Sequence, residues 1–193
     1  MGGGNIVEIG GGFGRTCHSI MVMSDLEGIE SYTIIDLEPM LQLSKAYLSQ
    51  VLPVRSFSKI RFISTRDVEQ KFNLAADLVI NIDSMQEMPP NVIDFYMKNV
   101  IRSAKYFYCK NSVGKYKPEN VGLNDIDEKK LQDVFELGRC RNIIDIFNKD
   151  DLRCATKRYL AAYNPDEEKW QLRDHREMTM FPYFVHAIYE RKY

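Results

Sequence analysis

The stretch Glu8-Ile9-Gly10-Gly11-Gly12-Phe13-Gly14-Arg15 constrains this chain more than any other part of it. Four glycines in five positions cannot sit inside a helix or strand without a large entropic cost, so they form a turn. An apolar run, Asn5 to Ile9, precedes the turn, and a helical pattern from about Arg15 to Ser24 with Ile20, Met21 and Met23 follows it. The segment therefore reads strand, glycine turn, helix. Glycines let the main chain approach a ligand closely, and a helix that starts just after them aims free N–H groups at an anionic group.

The same strand–helix alternation continues down the chain, as in a parallel sheet covered on both faces, so the expected class is α/β. A second strand, Tyr32-Thr33-Ile34-Ile35, ends at Asp36. Pro39 stands where the first turn of a helix tolerates proline, and Leu41, Ala46, Leu48 and Val51 share a face until Pro53. Further strands are predicted at Ile60–Ser64, Leu78–Ile82 and Tyr106–Cys109, with a helix over roughly Val92 to Ala104. From Asp125 the text reads as helical through Leu131, Val134, Leu137, Ile143, Ile144, Phe147 and Leu152 to Tyr163, before Asn164-Pro165. The alternating run Tyr183 to Tyr189 makes Trp170 to Tyr193 a closing strand or hairpin. With 193 residues there is room for one core, so a single domain over 1–193 is expected.

Two nucleotide-binding patterns fail at the glycine turn. The dinucleotide frame G-x-G-x-x-G lands on Arg15 when begun at Gly10 and on Cys17 when begun at Gly12. A phosphate-binding loop needs a lysine followed by serine or threonine, and Arg15-Thr16 has the wrong spacing.

The pattern that fits is Glu8-x-Gly10-x-Gly12-x-Gly14, which resembles the first motif of the class I S-adenosylmethionine-dependent methyltransferases. Asp36, 22 residues after Gly14 at a strand end, matches the acid that holds both ribose hydroxyls in that family, and a two-oxygen acceptor suits a vicinal diol. In Thr65-Arg66-Asp67-Val68 the resemblance assigns Asp67 to the adenine amino group and Val68 to the ring, with Leu37 against the adenine face. It also implies that Glu8, Gly10, Gly11, Gly12, Phe13 and Gly14 cradle the cofactor. Asn81 to Pro89 stands where the family contacts the methionine portion and the acceptor, giving Asp83 and Ser84 as further cofactor contacts. The implied fold is Rossmann-like and three-layered, a mostly parallel seven-stranded sheet with an antiparallel last strand.

A narrower likeness covers most of residues 5–117, the expected cofactor-binding core. The motifs Glu8 to Thr16 with His18, Ile35-Asp36-Leu37, Asp77 to Pro89 and Lys110 to Tyr116 resemble a bacterial family of sugar O-methyltransferases. That likeness implies methyl transfer to a sugar hydroxyl, of a nucleotide sugar or surface polysaccharide. A non-sugar small molecule is the alternative acceptor, and a non-catalytic binding module of the same fold is the alternative of a different class. A hydroxyl is a poor nucleophile until its proton leaves, so a carboxylate or imidazole within hydrogen-bond reach is expected to assist. Glu87 is the first candidate base, Asp83 is divided between base and cofactor contact, and Gln86 is a substrate-orienting amide. The same residues also read as ordinary polar groups before the helix at Pro89-Pro90. Asp83 with Glu87 could offer two oxygens to a divalent metal, although no spacing demands one.

Elsewhere structural readings compete with functional ones. His18 faces either the cofactor end or, as favoured, the sheet; His175 belongs to a substrate loop or, as favoured, a solvated turn; His186 reads as a structural strand residue. Lys110, Lys115 and Arg15 are candidate phosphate contacts if the acceptor is a nucleotide sugar. Residues 125–165 read as a covering helix, a substrate lid or a homo-oligomer surface, and 170–193 as closing strands whose aromatic side chains suit either a sugar ring or a core.

Composition sets the outer limits. With 45% hydrophobic and 27% charged residues the chain is globular rather than disordered. Lysine and arginine number 26 against 27 acids, so no broad field draws it to nucleic acid or an anionic membrane. Cys17, Cys109, Cys140 and Cys154 form no C-x-x-C pair and read as cytosolic thiols, no apolar run is long enough to span a membrane, and a cytoplasmic protein is expected. Only four residues precede Asn5, whereas methyltransferases of this class carry residues there that cover the cofactor or help bind the acceptor. An acceptor site completed by an N-terminal part or a second subunit is therefore expected.

Overall fold

The computed structural model describes residues 4–23, 28–68, 76–122 and 127–192. The chain divides into two compact units, Met1–Ile82 with Ser103–Phe107, and Asp83–Arg102 with Tyr108–Tyr193. Strand hydrogen bonding runs in the order β3 (Ile60–Ser64), β2 (Ile29–Asp36), β1 (Gly4–Ile9), β4 (Leu78–Ile82), β5 (Tyr106–Ser112), β9 (Phe184–Arg191), β8 (Trp170–Glu177), the mostly parallel seven-stranded sheet that the resemblance implied, and β9 runs antiparallel to β8.

The first unit holds β1 (Gly4–Ile9), α1 (Arg15–Met23), β2 (Ile29–Asp36), α2 (Glu38–Val51), the short α3 (Val54–Phe57), β3 (Ile60–Ser64) and β4 (Leu78–Ile82). Its strands are parallel, with Ile9 opposite both Ile35 and Asn81, and Ile34 opposite Phe62. Cys17 and Met21, four residues apart on α1, pack with Leu41 and Leu48, seven apart on α2, over Tyr32 and Ile34 of β2. The start of β1 is fixed by Asp77, whose carboxylate accepts the Asn5 N–H at 2.8 Å and pairs with Lys105. That pairing, with the Asn5 bond, holds Asp77 below the usual carboxylate range. Helix α2 opens with Pro39 in its first turn and ends at Val51, with Leu52 as its C-cap directly before Pro53, where the sequence predicted a stop.

The second unit contains α4 (Pro90–Asn99), most of β5 (Tyr106–Ser112), β6 (Lys115–Tyr116), α5 (Glu128–Phe135), β7 (Ile143–Ile144), α6 (Lys149–Ala162), β8 (Trp170–Glu177) and β9 (Phe184–Arg191). Helix α6 is capped by Asn148, whose side chain accepts from Asp150 and Asp151 N–H, and it buries Leu152, Ala155, Thr156 and Tyr159 along one face. The outermost strand, β8, buries Trp170 but exposes Arg173 through Glu177, a charged edge that discourages pairing with another sheet.

Several sequence boundaries need correction. The continuous helical reading from Asp125 to Tyr163 fails, and its starting residue lies outside the described residues. Gly138 adopts φ +76° after α5, and the β-branched pair Ile143-Ile144 leaves the helical path to pair with Lys115-Tyr116. Strand β5 runs on to Ser112 rather than stopping at Cys109. The helix expected over Val92 to Ala104 begins at Pro90, gives way after Asn99 to a 3₁₀ turn at Ile101–Ser103, and stops there. Ser24, the expected end of the first helix, is outside the described residues. Among the described residues no helix is long and apolar enough to cross a membrane.

Candidate functional site

In the first unit the glycine turn joins β1 to α1, with Gly10, Gly12 and Gly14 at φ of 71°, 56° and 95°. At Gly12 a Cβ would meet nothing within 4 Å, so the glycine is demanded there by backbone conformation and leaves open space beside the chain. Gly11 is tighter: a Cβ would come within 2.9 Å of both Glu8 Oε2 and Ile34 Cγ2. The Gly10 N–H donates to Ile35 O at 2.8 Å, tying the turn to the end of β2.

Asp36 closes that end. Its Oδ2 accepts the Gly12 N–H at 2.7 Å and its Oδ1 accepts the Leu37 N–H at 2.7 Å. Each carboxylate oxygen keeps a further acceptor position, so two adjacent hydroxyls can still be held. Phe13 and Leu37 flank the turn and stay 41% and 59% exposed, apolar surface available to a ligand. Phe13 also packs edge-on against Tyr47 with ring centres 5.3 Å apart. Asp67 is half-buried after β3, its N–H donating to Ser64 O at 2.8 Å, and Val68 is fully buried.

Glu8 lies beneath the turn, where it is 2% exposed. Its Oε2 accepts the Tyr32 hydroxyl at 2.9 Å, and burial, the largest influence, pushes its pKa up against the hydrogen bonds that lower it. The carboxylate thus supports Gly11 from inside. Tyr32 was not singled out in the sequence; the available signal was a phenol among the apolar residues of a central strand, since a buried hydroxyl needs a partner. His18 Nδ1 lies 2.7 Å from the hydroxyl of Tyr47 on α2, the residue that packs edge-on against Phe13.

In the second unit the loop after β4 carries the predicted acid–base residues. Asp83 has φ 60°, a left-handed conformation seldom adopted outside glycine, asparagine and aspartate. Its N–H donates to Lys110 O at 2.7 Å, its Oδ2 pairs with Lys110 Nζ at 2.5 Å, and its Oδ1 is buried with no hydrogen-bond partner among the described residues. Lys110, a candidate phosphate contact if the acceptor is a nucleotide sugar, pairs with Asp83 and lies 5.4 Å from the Phe184 ring centre. Ser84 leads into a 3₁₀ turn, Met85–Glu87, in which the Glu87 N–H donates to Ser84 O.

Gln86 is anchored rather than mobile: its N–H donates to Asn111 Oδ1 at 3.2 Å and its Oε1 accepts the Ser112 N–H at 2.7 Å. Lys115 Nζ reaches Gln86 O at 3.4 Å. Glu87 is exposed and, with Gln86 and Lys115, lines a cavity of about 560 Å³. Burial lowers the Lys115 pKa, opposed by the charges of Cys140 and Glu87. His186 pairs with the Tyr108 hydroxyl, and His175 is exposed on β8. Among the described residues no group of three or more His, Cys, Asp or Glu side chains could hold a metal ion.

No family model matches the chain. Among curated proteins, small ribosomal subunit protein uS4 of Blochmanniella floridana is 29% identical over 99 residues, 51% of this chain. The match spans about half of that relative's length, 47%. Among solved structures, the methyltransferase domain of bacterial CtHen1-C is similar over 100% of this chain and 91% of its own, with TM-score 0.64 and 12% identity. An O-methyltransferase family 2 protein from Planctomyces limnophilus DSM 3776, in complex with apigenin, is similar over 99% of this chain and 52% of its own, with TM-score 0.60 and 11% identity. LepI in complex with SAM matches 98% of this chain and 43% of its own, with TM-score 0.59 and 15% identity. The fold is the Rossmann-like α/β fold of class I methyltransferases.

Proposed function

We propose that this chain is an S-adenosylmethionine-dependent O-methyltransferase acting on a hydroxyl of a small molecule. The observation that supports this most is Asp36, set at the end of β2, bonded to the Gly12 N–H and left with acceptor capacity for a diol. The flanking Phe13 and Leu37 offer apolar surface to an adenosine, and the open space at Gly12 leaves room for the ligand against the backbone. The residues present therefore fit the cofactor that the fold implies.

Bound S-adenosylmethionine would supply a methyl group on a sulfonium, so that an oxygen–carbon bond forms as a sulfur–carbon bond breaks. The chain's own work is to position the acceptor and take its proton. In-line alignment of that kind can supply roughly 7–11 kcal/mol. Gln86, pinned by Asn111 and Ser112, is suited to orient the acceptor, and Glu87 takes the hydroxyl proton, a step worth about 10²–10⁴-fold. Asp83 is engaged by Lys110 and acts as a positioning group at the loop's start. The sugar acceptor implied by the sequence likeness draws its support from those motifs alone. Calorimetric titration with S-adenosylmethionine, joined to transfer assays with labelled cofactor on wild type and Glu87→Gln, tests the reading. Absence of cofactor binding up to millimolar concentration would sink it, and equal transfer by the two proteins would remove Glu87 as the base.

A further inference from the structure

The cavity in the second unit has a composition that speaks to its occupant. At about 560 Å³ it has the size of a small-molecule site. Most of its wall is apolar, contributed by Tyr116, Leu131, Val134, Phe135, Leu137 and Phe184. Leu131, Val134 and Phe135 stand on one face of α5 at helical spacing, yet α5 buries none of its residues. An amphipathic helix whose apolar face borders an open cavity gains that face's burial only when a guest fills the space.

The polar groups available to a guest are few. Glu87 follows Gln86 in the chain, Lys115 Nζ lies 3.4 Å from Gln86 O, and Lys130 is exposed on α5. Two other polar side chains of the wall are already committed. The Ser112 hydroxyl donates to Gly114 O at 2.5 Å, and Arg139 is held by Ala162 O and Asp94. A sugar ring presents hydroxyls around its whole circumference, and each one buried without a partner carries its full desolvation penalty. A ring that is apolar except at one hydroxyl leaves no such debt.

We propose that this cavity is the acceptor site and that its acceptor is a hydroxylated, mostly apolar aromatic compound of the phenol class. Its ring lies against the apolar face of α5, and its hydroxyl meets Glu87 and Lys115. Glu87 receives the proton, and the Lys115 ammonium stabilises the oxyanion that forms. The assignment rests on the methyl-transfer reading and narrows it.

Umbelliferone, a fluorescent hydroxycoumarin, and methyl glucoside serve as probes for titration of the full chain without cofactor. Umbelliferone is expected to bind about 100-fold more tightly than the glucoside. Val134→Trp, at a half-exposed position, should fill the cavity and weaken umbelliferone about tenfold while leaving S-adenosylmethionine affinity and the melting temperature unchanged. Leu131→Glu places a charge in the same wall and should give the same loss. Glucoside binding equal to or tighter than umbelliferone binding, or umbelliferone affinity unmoved by both substitutions, overturns the proposal. If umbelliferone binds as expected but S-adenosylmethionine does not bind wild type, the methyl-transfer reading fails and the cavity assignment as a phenol site stands.

Discussion

Asp36 accepts the Gly12 N–H at 2.7 Å through one carboxylate oxygen while its other oxygen caps the backbone of Leu37, so one side chain sets the relation between two βα turns. Replacing it tests binding and turn geometry together. Asp36→Asn keeps the size but removes the charge, and charge-assisted hydrogen bonds are worth about 1.5–3 kcal/mol, so cofactor affinity should fall about 10–100-fold. Asp36→Ala should lose at least as much. Calorimetric titration reads both, with circular dichroism to show that the fold persists.

Glu8 and Tyr32 make a pH-dependent contribution of definite sign. Burial raises the Glu8 pKa above its ordinary value of 4.5, so the folded chain binds that proton more tightly than the unfolded chain. The stabilisation is therefore present at low pH and is lost as pH rises through the folded-state pKa. Glu8→Gln, neutral at all pH values and still able to accept from Tyr32, should gain in melting temperature relative to wild type as pH rises above 4.5. A difference that stays flat from acidic to mildly alkaline pH would contradict this. Tyr32→Phe should destabilise by about 1–3 kcal/mol, because it removes a donor from a buried carboxylate.

Adjacent glycines of the turn should respond differently to alanine. At Gly11 the new methyl group would meet Glu8 Oε2 and Ile34 Cγ2 at 2.9 Å, and overpacking of this kind costs about 1–3 kcal/mol. At Gly12 there is nothing to strike, so the cost is the left-handed conformation alone, about 1–2 kcal/mol. Denaturant unfolding of Gly11→Ala, Gly12→Ala and the double variant Gly11→Ala with Glu8→Ala separates the causes. Removing Glu8 should recover part of the Gly11→Ala loss, since it removes one of the two clashing groups.

What was legible in the sequence follows from the range of the interactions involved. Strand Leu78–Ile82 falls where its apolar run placed it, because a parallel strand in the middle of a sheet, buried on both faces, writes its length directly as an apolar run. Ile60–Ser64 also falls where expected, although it is an edge strand with Arg61 exposed. The glycine turn and Asp36 were readable because their spacing is local. The helical block after Asp125 was misread because Leu131, Val134 and Leu137 keep helical spacing up to a left-handed Gly138, and the pairing of Ile143-Ile144 with Lys115-Tyr116 joins segments far apart in the chain. Lys110 offers the same lesson. Its sequence position made it a candidate phosphate contact for a nucleotide-sugar acceptor or a solvated lysine, and only the fold brings it to the Asp83 carboxylate.

Gly138 also yields a prediction about the acceptor side. Its φ is +76°, its N–H donates to Met88 O at 2.8 Å, and an added Cβ would lie 3.0 Å from Gln86 O and 3.2 Å from Gln86 Cα. Both atoms are backbone, so relief must come from a shift of the Gln86–Met88 segment rather than from a rotating side chain. Such a shift disturbs the Gln86–Ser112 bond and the placement of Glu87, and misplacement by about 1 Å can cost about 10²-fold in rate. Gly138→Ala should therefore lower transfer strongly while leaving S-adenosylmethionine affinity unchanged, because Gly138 and Gln86 belong to the second unit and the glycine turn to the first. Cofactor titration beside single-turnover transfer measures both. A parallel loss of cofactor affinity would show that the substitution damages the fold as a whole rather than the acceptor loop.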